Sequence, residues 1–317
     1  MNQLPCSIII PTWNAKSLID RCLRSILAHV ETGVTEIIVV DDGSTDDTAS
    51  HINGEFPYVI VERHPKNMGF GVSCNDGVNR ATHDIVILLN NDIIADESFL
   101  SPLLQHFSDD KVFAVNAQVF QNDGQTPGGG LVRGSLHCGL LRLRWAEYQK
   151  ARDHKSLTLY ANGAATAINK DKFLKLGGFD SIYAPFYSED LDISYRAYQR
   201  GWLVYYEPAS KLLHDHSVTI NKDFPPDFIK IISKRNRILF IWRNIRSSWL
   251  LLQHVVWLCL RCIGAFLTLD FTYLQAVAFA LTKLSTVYNR RKADPKVLRS
   301  DRQILSLTSD WEYRDIN

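Results

Sequence analysis

The chain has 317 residues, 46% of them hydrophobic, with 35 Lys and Arg against 34 Asp and Glu. That is enough apolar sequence for one full α/β core and a smaller annex, and a net charge of +1 gives no reason to expect a nucleic-acid partner. The balance is split: from Lys230 onward 15 basic residues stand against 6 acidic ones, leaving 20 against 28 before it, so an acidic body carries a basic, apolar tail suited to an anionic surface.

The N-terminus runs through Pro5 into an apolar strand over 7–10 without the basic start and apolar run of a signal peptide, which predicts a cytoplasmic protein. Six scattered cysteines agree with a reducing compartment, and the lone Cys259-x-x-Cys262 sits in an apolar helical run that reads as packing. After the first strand come Pro11, Thr12 and Asn14. Ser17 is placed to cap a helix whose apolar positions Leu18, Cys22, Leu23, Ile26 and Leu27 recur at helical spacing, with Gly33 after its end. A second buried strand over 36–40 runs into Asp41-Asp42-Gly43-Ser44-Thr45-Asp46. Strand, helix, strand, with a polar cluster at each strand end, predicts a doubly wound, mostly parallel sheet.

Asn67-Met68-Gly69-Phe70-Gly71 opens the next helical run, to Arg80, and the strand over 84–89 ends in Asn90-Asn91-Asp92. Gly69 and Gly71 are half of a dinucleotide fingerprint, but Cys74 occupies the third glycine position, which argues against a nicotinamide site. Any one of these polar strand ends is an ordinary turn. Three of them, at Asn14, Asp42 and Asp92, outline a ligand crevice at the carboxyl edge of a sheet. Further on, 111–120 reads as a strand, 123–134 as a long glycine-rich loop, and 170–176 as a helix stopped by Gly177. Glu189-Asp190-Leu191-Asp192 begins a helix running to Arg200. Trp202, Tyr205 and Tyr206 are either core aromatics or sugar-stacking rings.

These motifs, in this order, resemble the nucleotide-sugar half of the family 2 inverting glycosyltransferases with the GT-A fold: Ser-Ile-Ile-Ile-Pro-Thr-Trp-Asn, Ile-Ile-Val-Val-Asp-Asp-Gly-Ser-Thr-Asp, Asn67-x-Gly69-Phe70-Gly71 and Leu-Leu-Asn-Asn-Asp. The likeness continues through Gly177-Gly178-Phe179-Asp180, Ser188 to Asp192, Arg196 and His214, and covers roughly the first 220 residues. The resemblance implies that Asp42 pairs with the nucleotide base, with Asp41, Pro11, Thr12, Asn14, Asn67, Gly69 and Asn91 around the nucleotide sugar. It implies that Asp92 and the late His214 hold Mg²⁺ or Mn²⁺, His216 being the neighbouring candidate, and that Asp190, beside Glu189, is the catalytic base. Asp192, Arg196 and Trp202 fall on the acceptor side. Asn90 replaces the first acid of the family's D-x-D, a variant similar to the rhamnosyltransferase-like branch, and it removes one anionic ligand.

The domain expectation is a catalytic body over 1–226, with a nucleotide-sugar half (1–110) and an acceptor half (111–226), and a helical annex over 227–317 that packs on the body or lies at the inner face of a membrane. No stretch between Trp249 and Leu281 is read as an uninterrupted spanning helix, because His254, Arg261 and Asp270 break it. The function expected is transfer of one sugar from a dTDP- or UDP-linked donor to a saccharide acceptor, polyprenyl-diphosphate-linked, in surface polysaccharide synthesis. The alternative is a catalytically silent nucleotide-sugar-binding or scaffold protein at a membrane.

Overall fold

The computed structural model describes residues 4–145, 155–214 and 224–308. The first four long strands, β1 (Cys6–Thr12), β2 (Thr35–Asp41), β3 (Val59–Arg63) and β4 (Ile85–Leu89), are mutually parallel, in the order β4-β1-β2-β3. They are linked by α1 (Lys16–Leu27), α2 (Thr48–Glu55) and α3 (Phe70–Arg80). Their near-continuous apolar sequences follow from burial on both faces. Ile8, Ile10, Ile37, Val39, Ile87 and Leu89 pack on the side of α1, whereas Ile9, Ile38, Val40, Val86 and Leu88 pack on the side of α3, as alternation along a strand requires. Helix α3 lies close to the sheet because Gly77 has no side chain; a Cβ there would stand 2.4 Å from Ile9 Cγ2.

The second half extends the same sheet. After β5 (Ile93–Ala95) and α4 (Leu100–Leu104) come β6 (Val112–Gln121), β7 (Pro127–Gly129), the hairpin β8 (Val132–His137) and β9 (Leu140–Trp145), and β10 (Ser156–Leu157). Next are β11 (Ala165–Asn169), α5 (Lys170–Lys175), α6 (Glu189–Gln199) and β12 (Leu203–His214). The ten-stranded sheet has an eight-strand path β10-β12-β6-β11-β4-β1-β2-β3, with β5 added on β12 and β7 on β6; β11 inserts antiparallel between β4 and β6. The mostly parallel, doubly wound sheet with a C-terminal helical annex is as the sequence predicts.

Three local expectations are corrected. Helix α1 begins at Lys16, with Ala15 and not Ser17 at its start, and the Ala15 N–H is taken by Thr48 Oγ1 at 3.2 Å. The segment 123–134 is not all loop: it contains β7 and the start of β8, whose antiparallel partner β9 went unread because its Arg-rich alternation gives no continuous apolar run. Third, among the described residues one C-terminal helix, Ser248–Leu267, is by length and composition apolar enough to cross a membrane.

That region comprises α7 (Pro226–Asn244), α8 (Ser248–Leu267), α9 (Phe271–Leu281), α10 (Leu284–Ala293) and α11 (Asp301–Leu307). Helix α7 supplies Ile238, Leu239, Phe240 and Ile241 to the core cluster that also holds Ile9, Val40 and Tyr195, so the body's hydrophobic core continues past 226. Helix α8 is the long apolar one, and little of it is buried. Of its polar interruptions, His254 is buried, its Nδ1 2.8 Å from the Gly139 carbonyl oxygen of the β8–β9 turn, whereas Arg261 stays exposed and lies over the Tyr273 ring. Left outside are Trp249, Leu252, Val255, Leu260, Ile263, Phe266 and Leu267, joined by Leu269 and Phe271.

Candidate active site

The crevice forms where strand order reverses between β1 and β4. Asn91 Nδ2 donates to Thr12 Oγ1 at 2.9 Å across that point, and the Asp42 N–H donates to the Thr12 carbonyl at 2.8 Å. Strand end 1 is thereby tied to strand ends 2 and 4. Asn14, in left-handed backbone at φ 46°, accepts from Thr45 N–H at 2.8 Å, and its own N–H donates to Ser44 Oγ at 2.9 Å. The fully buried Asp41 accepts from Ser44 N–H at 3.0 Å and faces Arg63 Nε at 3.2 Å. Pro11 lies in the same strand end, half-buried.

Asp42 works mainly on its own loops. Its Oδ1 accepts from Met68 N–H and its Oδ2 from Gly69 N–H, each at 2.8 Å, and His64 Nδ1 lies 2.8 Å from Oδ1. A carboxylate has about four acceptor positions, so one remains for a ligand N–H. Gly69 takes φ 92°, a conformation open to glycine, and opens α3, while Asn67 beside it is exposed. His64, which sequence reasoning missed, also reaches Asp76 Oδ2 at 3.1 Å. The available signal was its place one residue past β3, whose Arg63 registers with Asp41.

Asp92 and His214 meet because β5 pairs with the end of β12, placing His214 opposite Ile93. Asp92 Oδ1 is buried without a hydrogen bond and stands 2.8 Å from His214 Nε2. A buried carboxylate oxygen beside an imidazole nitrogen is chemistry that could hold a divalent cation, and these two residues fit Mg²⁺ or Mn²⁺ as part of a ligand set. Among the described residues no group of three or more His, Cys, Asp or Glu assembles, so remaining ligands would come from a diphosphate and water. His216 lies outside the described residues.

The third component is the start of α6. Asp190 Oδ1 accepts from Leu191 N–H at 2.7 Å, and the Gly163 N–H also bonds its carboxylate. Burial pushes Asp190 up to about 6; burial and the charge of Asp190 push Glu189 up to about 8. Glu189 Oε2 is buried without a hydrogen bond. The two titrate as a pair, with Glu189 keeping its proton to higher pH. The loops carrying the three components touch: Gly69 packs toward the Pro185 carbonyl, Asn90 N–H donates to the Ala164 carbonyl at 3.0 Å, and Gly163 lies between Phe70 and Asp190. Asp42 and Glu189 also both raise the buried Cys74 thiol, after burial itself and with Glu189 the stronger.

The residues expected on the acceptor side are not brought here. Asp192 is fully buried, accepting from Arg196 Nε at 2.7 Å, Tyr183 hydroxyl at 2.9 Å and Asn244 Nδ2 at 2.8 Å. Arg196 also donates to the Leu176 and Gly178 carbonyls. Helical spacing places both on the face of α6 turned into the core. Trp202 precedes β12 at the strand end opposite His214, stacked on Phe113 with ring centroids 6.3 Å apart.

With this geometry in place, the comparisons with known proteins are decisive: the model of glycosyl transferase family 2 matches residues 7–176. The chain belongs to glycosyl transferase family 2. Among relatives of this family-2 chain, the pre-mycofactocin glycosyltransferase of Mycobacterium tuberculosis is 29% identical over 213 residues, covering 66% of this chain and 42% of that protein. The chain thus spans less than half of that relative. The N-acetylglucosaminyl-diphospho-decaprenol L-rhamnosyltransferase of the same organism is 26% identical over 268 residues, covering 76% of this chain and 85% of that protein. In fold, the family-2 chain is similar to a mannosyltransferase from Pyrobaculum calidifontis in complex with GDP-Man and Mn²⁺, with TM-score 0.56, 16% identity, and coverage of 90% of this chain and 88% of the other.

Proposed function

We propose that this chain is an inverting glycosyltransferase that moves a single sugar from a nucleoside-diphosphate sugar to a lipid-linked saccharide acceptor at the cytoplasmic face of a membrane. The observation that carries this reading is the Asp92–His214 pair, 2.8 Å apart, beside Asn90, whose N–H bonds the Ala164 carbonyl next to the Gly163 that bonds Asp190. Asp42 and the Asn67 to Gly69 turn close over the strand ends where the nucleotide is held, with Thr12, Asn14 and Asn91 fixing their positions. A cation on Asp92 and His214 would supply charge neutralisation for the departing diphosphate.

Asp190 takes the proton of the acceptor hydroxyl as that oxygen attacks the anomeric carbon. A base with a pKa nearer neutrality than an ordinary Asp is better matched to a hydroxyl. With direct attack and no enzyme nucleophile, one displacement inverts the configuration. Glu189, protonated beside it, leaves Asp190 as the single negative charge of the pair.

The acceptor assignment draws on α8 and α9, whose exposed Trp, Leu, Ile and Phe side chains form an apolar face on the basic part of the chain. The decaprenol-linked substrate named for one relative and the Asn90-Asn91-Asp92 variant point to a polyprenyl-diphosphate acceptor and a deoxyhexose donor on thymidine or uridine diphosphate, in envelope polysaccharide synthesis. The division into a catalytic body over 1–226 and an annex over 227–317 is proposed only for membrane contact, since α7 packs into the body's core.

The test is to incubate the protein with UDP-, GDP- and dTDP-sugars, Mn²⁺ or Mg²⁺, and polyprenyl-diphosphate saccharides, following nucleotide release and the anomeric configuration of the product by NMR. Transfer with inversion is the expected result; retention of configuration, or donor binding without turnover across the panel, contradicts it. Flotation with phosphatidylglycerol vesicles, lost on replacing Leu260, Phe266 and Leu267 by Ser, tests the membrane component.

A further inference from the structure

The base-bearing end of α6 has an unusual entry. Tyr187 and Ser188, the two residues before Glu189, are both in left-handed backbone, at φ 73° and 76°, and Ser188 makes no side-chain capping bond. Non-glycine residues in that region cost about 1 kcal/mol or more each, and persist where their surroundings over-determine them. Here the surroundings are two adjacent side chains of α7. Asn236 Nδ2 lies 2.8 Å from each of the Tyr183, Phe186 and Tyr187 carbonyl oxygens, and Arg235 Nη2 lies 2.5 Å from the Ala184 oxygen and 3.2 Å from that of Tyr183.

Asn236 is fully buried and Arg235 nearly so. An amide has two hydrogens to offer, so the three carbonyls share them, and each bond restrains the others. All of the Arg235 Nη2 contacts are to backbone carbonyls of the loop, while its Nε meets the Asn236 side-chain oxygen at 2.9 Å. The pair therefore gathers four carbonyl oxygens over five residues, immediately before the two carboxyl groups of the site. A fold-stabilising contact would be indifferent to which segment it held. This one holds the segment whose backbone sets the direction of Glu189 and Asp190.

We propose that Arg235 and Asn236 are positioning residues for the reaction: from the annex helix they fix the 183–188 loop so that Asp190 is presented to the acceptor hydroxyl. This rests on the reading of Asp190 as base. It gives the C-terminal region a part in catalysis separate from any membrane contact, and it makes truncation at 226 an unsuitable test of membrane attachment, because truncation removes the clamp as well.

The experiment compares Asn236→Ala, Arg235→Ala and the milder Arg235→Lys with the intact full-length protein, first confirming folding by thermal melt and donor binding by calorimetry. The expected result is a fall in kcat of about 10- to 100-fold with donor Kd within about twofold of the parent. The acid limb of the pH–rate profile moves as the burial of Asp190 changes, and Arg235→Lys recovers part of what Arg235→Ala loses. A lowered melting point with kcat and pH profile unchanged, in either alanine variant that binds donor, overturns the proposal. If neither alanine variant folds, an Arg235→Lys protein with kcat and pH profile unchanged overturns it. Asp190→Asn run in parallel separates the two claims: its inactivity with normal kcat in the α7 variants sinks the positioning role alone, whereas its full activity removes the base assignment on which that role rests.

Discussion

Lowering the pH should silence this enzyme well before an ordinary aspartate would protonate. Burial moves Asp190 from 3.8 to about 6, so about nine-tenths of it is ionised at pH 7 and only about one-tenth at pH 5. A base left at 3.8 would remain about nine-tenths ionised at pH 5. The expected kcat/KM therefore falls roughly tenfold from pH 7 to pH 5 and continues at about tenfold per unit below that. The assay is nucleoside-diphosphate release at low acceptor concentration between pH 4.5 and 8, with donor Kd measured at each end so that weakened binding is not mistaken for a lost base. Glu189→Gln should keep this acid limb, since burial is what raises Asp190. A profile flat to pH 5 with unchanged donor affinity would refute the argument that burial tunes the base.

Further outcomes follow from the same coordinates. Replacing His214 by Ala should raise the Mn²⁺ concentration needed for half-maximal activity by about 10- to 100-fold, measured by titrating metal into the chelated enzyme; an unchanged requirement would remove His214 from the cation site. Glu189 has a folded-state pKa raised above its unfolded one, so its contribution to stability is present below about pH 4 and is lost as pH rises toward 8. Glu189→Gln should thus melt a few degrees higher than the parent at pH 8.5, with the gap narrowing toward pH 5, and a pH-independent difference would contradict the shift. Gly77→Ala should gain about 1 kcal/mol of helix propensity and lose about 1–3 kcal/mol to the 2.4 Å approach on Ile9. The net loss of about 0–2 kcal/mol lowers the melting point by up to a few degrees, and a rise would mean that α3 shifts freely off the sheet.

The first half of the sheet was legible because its signals are local. Ile8 to Ile10, Ile37 to Val40 and Ile85 to Leu89 are apolar runs ending in Asn, Asp and Gly, and buried parallel strands permit little else. The Asp92 and His214 pairing was legible only through family resemblance, since it depends on β5 adding to β12 across more than a hundred residues. What stayed hidden depended on where a helix or strand turns its faces. Asp192 and Arg196 look like site residues by proximity to Asp190, yet one helical turn carries them into the core to bond Tyr183 and Asn244. Trp202 has the right chemistry at the wrong end of its strand. In sequence the polar residues of α7 only add to the basic balance of the tail, and it is packing that turns Arg235 and Asn236 onto the loop before α6.

Asp190 is the residue on which transfer should depend most. With a donor established in the transfer assay, Asp190→Asn should bind that nucleotide sugar with the parent's Kd by calorimetry while transfer to the acceptor drops by about three orders of magnitude or more. Normal transfer by a folded Asp190→Asn protein would contradict the account at its centre.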